Sequence, residues 1–437
     1  MKAEIIAVGS ELLTPDRSDT NSLYLTARLN RLGFDVTRKS IVGDDRARIQ
    51  ETFRAALERV DLVVSSGGLG PTEDDLTRDA VAELLGRRLE RNEGVVREIQ
   101  ERFRSFGRVM AENNVRQAMV PEGATILENK NGTAPGLWLE SGQQIIILLP
   151  GPPRELKAMF ESEVEPRLER RAPATRLHHL QLRIAGLPES DLDLRIAPIY
   201  KTYPDVETTL LASPGEIEVH FRIWSADPAA ADRRLEELER HVALALGEHI
   251  VSSDGESLEQ VVGRLLATHH ATIATAESCT AGLVAERLTR VAGSSAYFLG
   301  GVVCYSNELK TAFADVPAEI IETHGAVSAE VATGLAEGIR RRTGATLGLS
   351  VTGIAGPSGG TPEKPVGTVH IALAAPGGTR ERGLHFAPGD RERIRWQAAQ
   401  TALDMVRRYF IGGGEPPRPG RAPGRPGGAP GKSRRKA

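Results

Sequence analysis

Several stretches of the sequence bring together residue types that can do chemistry. The first is Ser65 to Asp79, SSGGLGPTEDDLTRD. Gly67, Gly68 and Gly70 let backbone amides approach a ligand closely, a nest suited to a phosphate or a planar ring. Glu73, Asp74, Asp75 and Asp79 follow as hard oxygen donors, and a divalent cation bridging them to a pyrophosphate would offset their repulsion. The same residues have a plainer reading, in which Thr72 caps a helix and the acids favour its positive end by ~0.3–1 kcal/mol each. Carboxylates recur in VGSELLTPDRSDTN (Val8 to Asn21) and in VGDD (Val42 to Asp45), where Asp44 is a candidate metal ligand. Asp and Asn are also ordinary turn residues.

Later in the chain, Ala276-Glu277-Ser278-Cys279-Thr280-Ala281-Gly282 follows an apolar run and reads as the opening of a helix. A Ser278 hydroxyl there would sit among amides able to stabilise an alkoxide or oxyanion. Cys279 is the rival nucleophile. No His adjoins either cysteine, the nearest being His269 and His270, and a free Cys is most often a small buried hydrophobe. The stretch Val302 to Lys310, VVCYSNELK, brings Tyr305 to the end of a strand and Lys310 into the turn beyond. A Lys held among apolar and hydroxyl groups can lose its proton and act as base to a Ser, with Tyr relaying. On the surface the same Lys would stay solvated and charged. Val351 to Pro357, VTGIAGP, is a second glycine-rich turn, and Gly389-Asp390-Arg391 opens the last helix; amides and a bidentate Arg suit a phosphate or carboxylate.

These residues need elements to hold them. Over the first 170 residues β-branched runs alternate with amphipathic stretches: Ala3 to Val8 then Thr20 to Leu32, Leu62 to Ser65 then Leu76 to Leu85, Gln144 to Leu149 then Arg154 to Phe160. That alternation predicts βαβ units and a parallel sheet, whose ligand crevice lies at the carboxyl ends of the strands. From about Arg171 to Ile250 the pattern is that of a small α+β module. A third unit starts at Ser257, which can cap Leu258 to Thr268, and runs through strands at Ala271 to Thr275, Gly301 to Tyr305, Thr346 to Val351 and Thr368 to Ala374 to a helix over Arg391 to Phe410.

Composition bounds the rest. At 437 residues, with 40% hydrophobic and 26% charged, the chain is of ordinary globular make-up and long enough for about three domains. A net charge of −3 offers no general attraction to nucleic acid. Residues 412–437, rich in Gly, Pro and Arg, cannot bury enough apolar surface to order themselves, and read as a basic tail able to attach weakly to polyanions. Two cysteines make no disulfide framework, and no long apolar stretch follows the N-terminus or spans a membrane. A cytoplasmic location is expected.

The motifs GSELL with SDTN, SGGLGPTEDDLT, LPGPPRE, AESCTAGLVA, GGVVCYSNELK, HGAVS, SVTGIAGPSGG, EKPVGTVHIA and the terminal GDR occur in one order, and in them the chain resembles the CinA (competence/damage-inducible) family over residues 1 to 411. The resemblance implies an α/β protein of three domains: a molybdopterin-binding-like parallel-sheet domain over 1–170, a small α+β KH-like domain over 171–251, and an α/β nicotinamide-nucleotide amidase domain over 256–411. It implies Ser278 as nucleophile activated by Tyr305 and Lys310, with Thr352, Gly353 and Arg391 holding the nucleotide. In the first domain it implies a metal-dependent ADP-ribose pyrophosphatase, with Gly67, Gly68, Gly70 and Thr72 at the nucleotide and Asp74, Asp75 and Asp44 at the metal. Many members carry Gly-Gly where Ala281-Gly282 stands, and Gly where Pro15 stands. The expected function is deamidation of nicotinamide mononucleotide with no cofactor, by a homodimer. The alternative is a nucleotide- or molybdopterin-binding sensor acting in competence or DNA-damage response.

Overall fold

A computed structural model describes residues 1–387 and 389–412. Most of the basic tail lies outside the described residues. The chain divides into two compact units, Met1–His178 with Ile223–Arg233, and residues 179–222 with 234 onward.

The first unit contains strands β1 (Lys2–Val8), β2 (Asp35–Val42), β3 (Leu62–Ser66), β4 (Leu89–Arg91), β5 (Met119–Pro121), β6 (Thr125–Leu127), β7 (Gly136–Ser141) and β8 (Gln144–Leu149), and helices α1 (Thr20–Arg31), α2 (Arg46–Leu57), α3 (Thr77–Leu84), α4 (Glu93–Ser105), α5 (Pro153–Met159) and α6 (Glu165–Glu169). Its main sheet has the order β2-β1-β3-β8-β7-β6. The pairs among β2, β1, β3 and β8 are parallel, as the βαβ alternation predicts. β7 and β6 depart from that expectation and run antiparallel. The reason is local. Gly142 (φ 60°) and Gln143 alone join β7 to β8, and so short a link permits only a hairpin. Ile5, Val64 and Ile147 face the cluster that includes Leu25 and Leu29 of α1, while Ile6, Val63 and Ile146 face Ile49 and Phe53 of α2, so each central strand is apolar on both sides.

The second unit takes most of β9 (Arg176–Ala185), α7 (Glu189–Tyr200), β10 (Glu207–Ser213), most of β11 (Glu216–Ser225), most of α8 (Pro228–Leu246) and β12 (Ile250–Ser252), whose strands have the order β10-β11-β9-β12. It continues with α9 (Leu258–Thr268), β13 (Ile273–Glu277), α10 (Leu283–Thr289), β14 (Phe298–Val303), α11 (Asn307–Ala314), α12 (Ala318–His324), α13 (Ala329–Thr343), β15 (Leu347–Gly353), β16 (Thr368–Ala375), β17 (Gly378–His385) and α14 (Arg391–Gly412). Ser257 caps α9 as expected, in a reciprocal capping box with Gln260. The five strands are ordered β14-β13-β15-β16-β17, with β13 parallel to both neighbours and β16 and β17 antiparallel. Val284 and Leu288 of α10 join one core with Leu403 of α14, and Val331 and Leu335 of α13 join another. The connections leaving β13 and β14 therefore run over opposite faces of the sheet. That reversal places an open crevice at the carboxyl end of β13.

Candidate functional sites

In the second unit Ser278, Thr352 and Tyr305 follow or end three adjacent strands. The Ser278 amide donates to the Val351 carbonyl (2.9 Å) and the Cys304 amide to the Glu277 carbonyl (2.8 Å), tying the ends of β15 and β14 to that of β13. The Tyr305 hydroxyl accepts from an Arg391 guanidinium nitrogen (3.0 Å), whose other arm donates to the Gly356 carbonyl (2.8 Å). Lys310 is 1% exposed, with its ammonium on the carbonyls of Cys304 (3.1 Å) and Tyr305 (3.3 Å). Burial disfavours the charged amine and holds its pKa below the ordinary lysine value. Tyr305 is exposed and Ser278 is nearly covered. The Thr352 hydroxyl is buried and donates to the Ala326 carbonyl (2.8 Å). At Gly353 a Cβ would press on Val369 and the Thr368 carbonyl, and would lie 3.1 Å from the Cys279 sulfur. Only glycine fits there.

Cys279 is fully buried, and desolvation pushes its thiol up to about 12, so it holds no thiolate near neutrality.

The turn after β13 differs from the helix opening expected. The helix starts only at Leu283, with Gly282 (φ 92°) as its N-cap, and its first amides are already taken. The buried Glu277 carboxylate accepts from the amides of Gly282 (2.9 Å), Val284 (3.1 Å) and Ala285 (2.8 Å). Ser278 thus gains nothing from the end of α10. The amides of Cys279 and Thr280 are the turn's unbonded donors among the described residues. Arg395 donates to the carbonyls of Cys279 (3.1 Å) and Thr280 (2.8 Å), and Lys364 to those of His324 (2.7 Å) and Val327 (2.8 Å). Glu277, Arg395 and Lys364 carry no chemistry of their own in the motifs, since each acts on backbone groups. The one signal for Arg395 is its place four residues after Arg391, on the same side of a helix.

In the first unit the loops after β1, β2, β3 and β8 line one cavity of about 810 Å³, together with Asp19, Thr20 and Asn21 at the start of α1. Gly67, Gly68, Gly70, Thr72, Asp74, Asp75 and Asp44 all border it. Gly67 and Gly68 hold φ of 102° and 68°, and a Cβ on them would strike the Val8 carbonyl and the Thr77 hydroxyl. Thr72 caps no helix, since α3 begins at Thr77 without a side-chain cap. Its amide (2.8 Å) and hydroxyl donate instead to the Asp75 carboxylate. Asp44 accepts from the Ser10 amide (2.7 Å). Among the described residues no three His, Cys, Asp or Glu converge as a metal cage. Asp44, Asp74 and Asp75 border one cavity but form no cage among the described residues, so an ion held there would need oxygens from its ligand.

Three family models match in succession: a probable molybdopterin binding domain over residues 4–170, the damage-inducible protein CinA KH domain over 179–252, and the CinA C-terminal domain over 255–410. A CinA-like protein of Koribacter versatilis is 52% identical over 415 residues, covering 94% of this chain and all of the relative. The chain belongs to the CinA family. A putative competence-damage inducible protein of Symbiobacterium thermophilum is 46% identical and covered over 99% of its length. Among solved structures, CinA from Thermoplasma acidophilum is 36% identical over 38% of this chain and 99% of its own, with a TM-score of 0.36. The CinA layout of three successive domains in a mixed α/β fold is the one expected from the sequence. No helix among the described residues is long and apolar enough to cross a membrane.

Proposed function

We propose that the C-terminal part of the chain is a serine amidohydrolase that converts nicotinamide mononucleotide to nicotinate mononucleotide and ammonia. The observation that carries this reading is Lys310, a buried amine of lowered basicity held at the same strand ends as Ser278 and beside Tyr305. In this reading the Ser278 hydroxyl attacks the carboxamide carbon while its proton passes to neutral Lys310, directly or through Tyr305. The amides of Cys279 and Thr280 face the oxyanion, the C–N bond breaks, and the protonated lysine returns its proton to the departing ammonia. Water then cleaves the acyl-serine to the nicotinate product. Arg391 and the backbone at Thr352 and Gly353 are the proposed holders of the ribose phosphate.

The test is ammonia release by purified Ser278→Ala and Cys279→Ala proteins. We expect loss of release with retained nucleotide binding for the first, and near wild-type turnover for the second. A dead Cys279 variant beside an active Ser278 variant would refute the assignment.

The 810 Å³ cavity supports a second activity in the N-terminal domain, hydrolysis of the ADP-ribose pyrophosphate. A bound divalent cation would supply neutralisation of phosphate charge, with Asp74, Asp75 and Asp44 as its protein donors. The glycine-loop amides would hold the phosphates. Binding of ADP-ribose without cleavage would favour instead a nucleotide-sensing role.

A further inference from the structure

The second unit holds a cavity of about 1100 Å³ that the proposed hydrolyses leave unused. Its walls are the start of α7 around Pro188, the turn between β10 and β11 with Pro214, and the first two turns of α14. None of the residues proposed for catalysis lines it. At 100° per residue, Arg391 and Arg395 fall about 40° apart on one side of α14, and Arg393, Trp396 and Gln397 centre on roughly the opposite side. The first side holds Tyr305 and the carbonyls of Cys279 and Thr280. The second side faces the cavity.

The lining has a definite chemistry. The half-buried Trp396 ring lies 4.5 Å from the Arg287 guanidinium, which is itself fixed by Glu259 (2.7 Å) and Gln400 (2.6 Å). The indole is thereby a braced apolar plate in the wall. Around it stand Glu189, Glu216, Asp390 and Glu392, against the single base Arg393. Glu216 is answered by Arg183 and Gln400, and Asp390 accepts from the Arg393 amide (2.6 Å). Glu189 and Glu392 have no ion-pair or hydrogen-bond partner for their carboxylates among the described residues. An aromatic plate ringed by surplus carboxylate attracts a flat cation and repels a phosphate.

We propose that this cavity binds a planar aromatic cation of the N-alkylpyridinium class, stacked on Trp396 with Glu189 and Glu392 as countercharge. Binding there is independent of the amidohydrolase reading.

The experiment is a ¹⁹F NMR titration of the full-length protein labelled with 5-fluorotryptophan, whose three resonances belong to Trp138, Trp224 and Trp396, the last assigned by Trp396→Phe. N-methylpyridinium, benzyl alcohol and benzoate are the probes, alike in ring size and different in charge. The expected result is a saturable shift of the Trp396 resonance alone with N-methylpyridinium, weakened about fivefold in the Glu189→Gln/Glu392→Gln protein. The unshifted Trp138 and Trp224 resonances report that this variant is folded. A shift that never saturates, equal binding of benzoate, or unchanged affinity in the double variant would overturn the proposal whether or not the protein releases ammonia.

Discussion

The surroundings of Lys310 decide what it can do. A lysine in water titrates near ~10.4 and is a poor base at neutrality. Burial lowers that value here, and two carbonyl oxygens at 3.1 and 3.3 Å fix the amine in place. If neutral Lys310 is the base, kcat/KM for ammonia release must rise with pH as the amine loses its proton, and level off above a pKa displaced below the solution value. Below that pKa the protonated form is inert. Lys310→Arg, which cannot deprotonate in proteins, should lose about 10²–10⁴-fold in kcat/KM and show no ascending limb. A variant with the parent profile would make Lys310 a structural residue. The candidates Ser278, Tyr305 and Lys310 were legible because each has reactive chemistry in a short motif. Glu277 and Arg395 were not, because they act on backbone amides and carbonyls that the sequence does not display. The burial of Cys279 and the raised basicity of its thiolate are likewise properties of the folded core, which the sequence does not display.

At the scale of the element, the turn from Glu277 to Leu283 is where local reading and fold part company. A small-residue run after a strand looks like a helix start, yet Glu277 folds back to occupy the first free amides and delays the helix. Removing three acceptor contacts from a buried carboxylate leaves unsatisfied donors, so Glu277→Ala should cost about 2–3 kcal/mol in denaturant unfolding. It should also lower kcat for ammonia release by loosening the Ser278 turn. Loss of stability with full kcat would separate the cap from the site. Ala281 stands at φ 49° in the same turn, a conformation that costs an L-residue roughly 1–2 kcal/mol. Ala281→Gly relieves that strain while adding entropy to the unfolded chain, and we expect a net gain of about 0.5–1 kcal/mol. A lowered melting temperature would contradict it. The strands β1, β3, β8 and β13 were readable as apolar runs, whereas the antiparallel β6 and β7 were not. The direction of β7 against β8 hangs on a two-residue link, not on hydrophobic pattern.

Across the whole molecule, two units repeat one device. β2-β1-β3 and β14-β13-β15 each place the first strand between the next two, so loops gather at its carboxyl end. The chemistry gathered there differs. At the ends of β13 and β14 are the Ser278 hydroxyl, the Tyr305 phenol and the buried Lys310 amine, the set proposed for acyl transfer. Around Gly67 are amides and carboxylates, but Asp75 and Asp44 already serve Thr72 and Ser10, and among the described residues no three acids converge. A cation there should consequently be weak without nucleotide and tight only when pyrophosphate oxygens complete its shell. Calorimetry should find little Mg²⁺ binding to the free protein and clear binding in the presence of a non-hydrolysable ADP-ribose analogue. Chelator should stop ADP-ribose hydrolysis and spare ammonia release. Asp74→Asn/Asp75→Asn should reproduce the chelator's effect, and the retained Asn oxygen at position 75 can still accept from Thr72, so the melting temperature should fall by no more than a few degrees. Tight Mg²⁺ binding to the free protein would reveal a resident ion site, and hydrolysis indifferent to both chelator and the double substitution would return this cavity to a binding role alone.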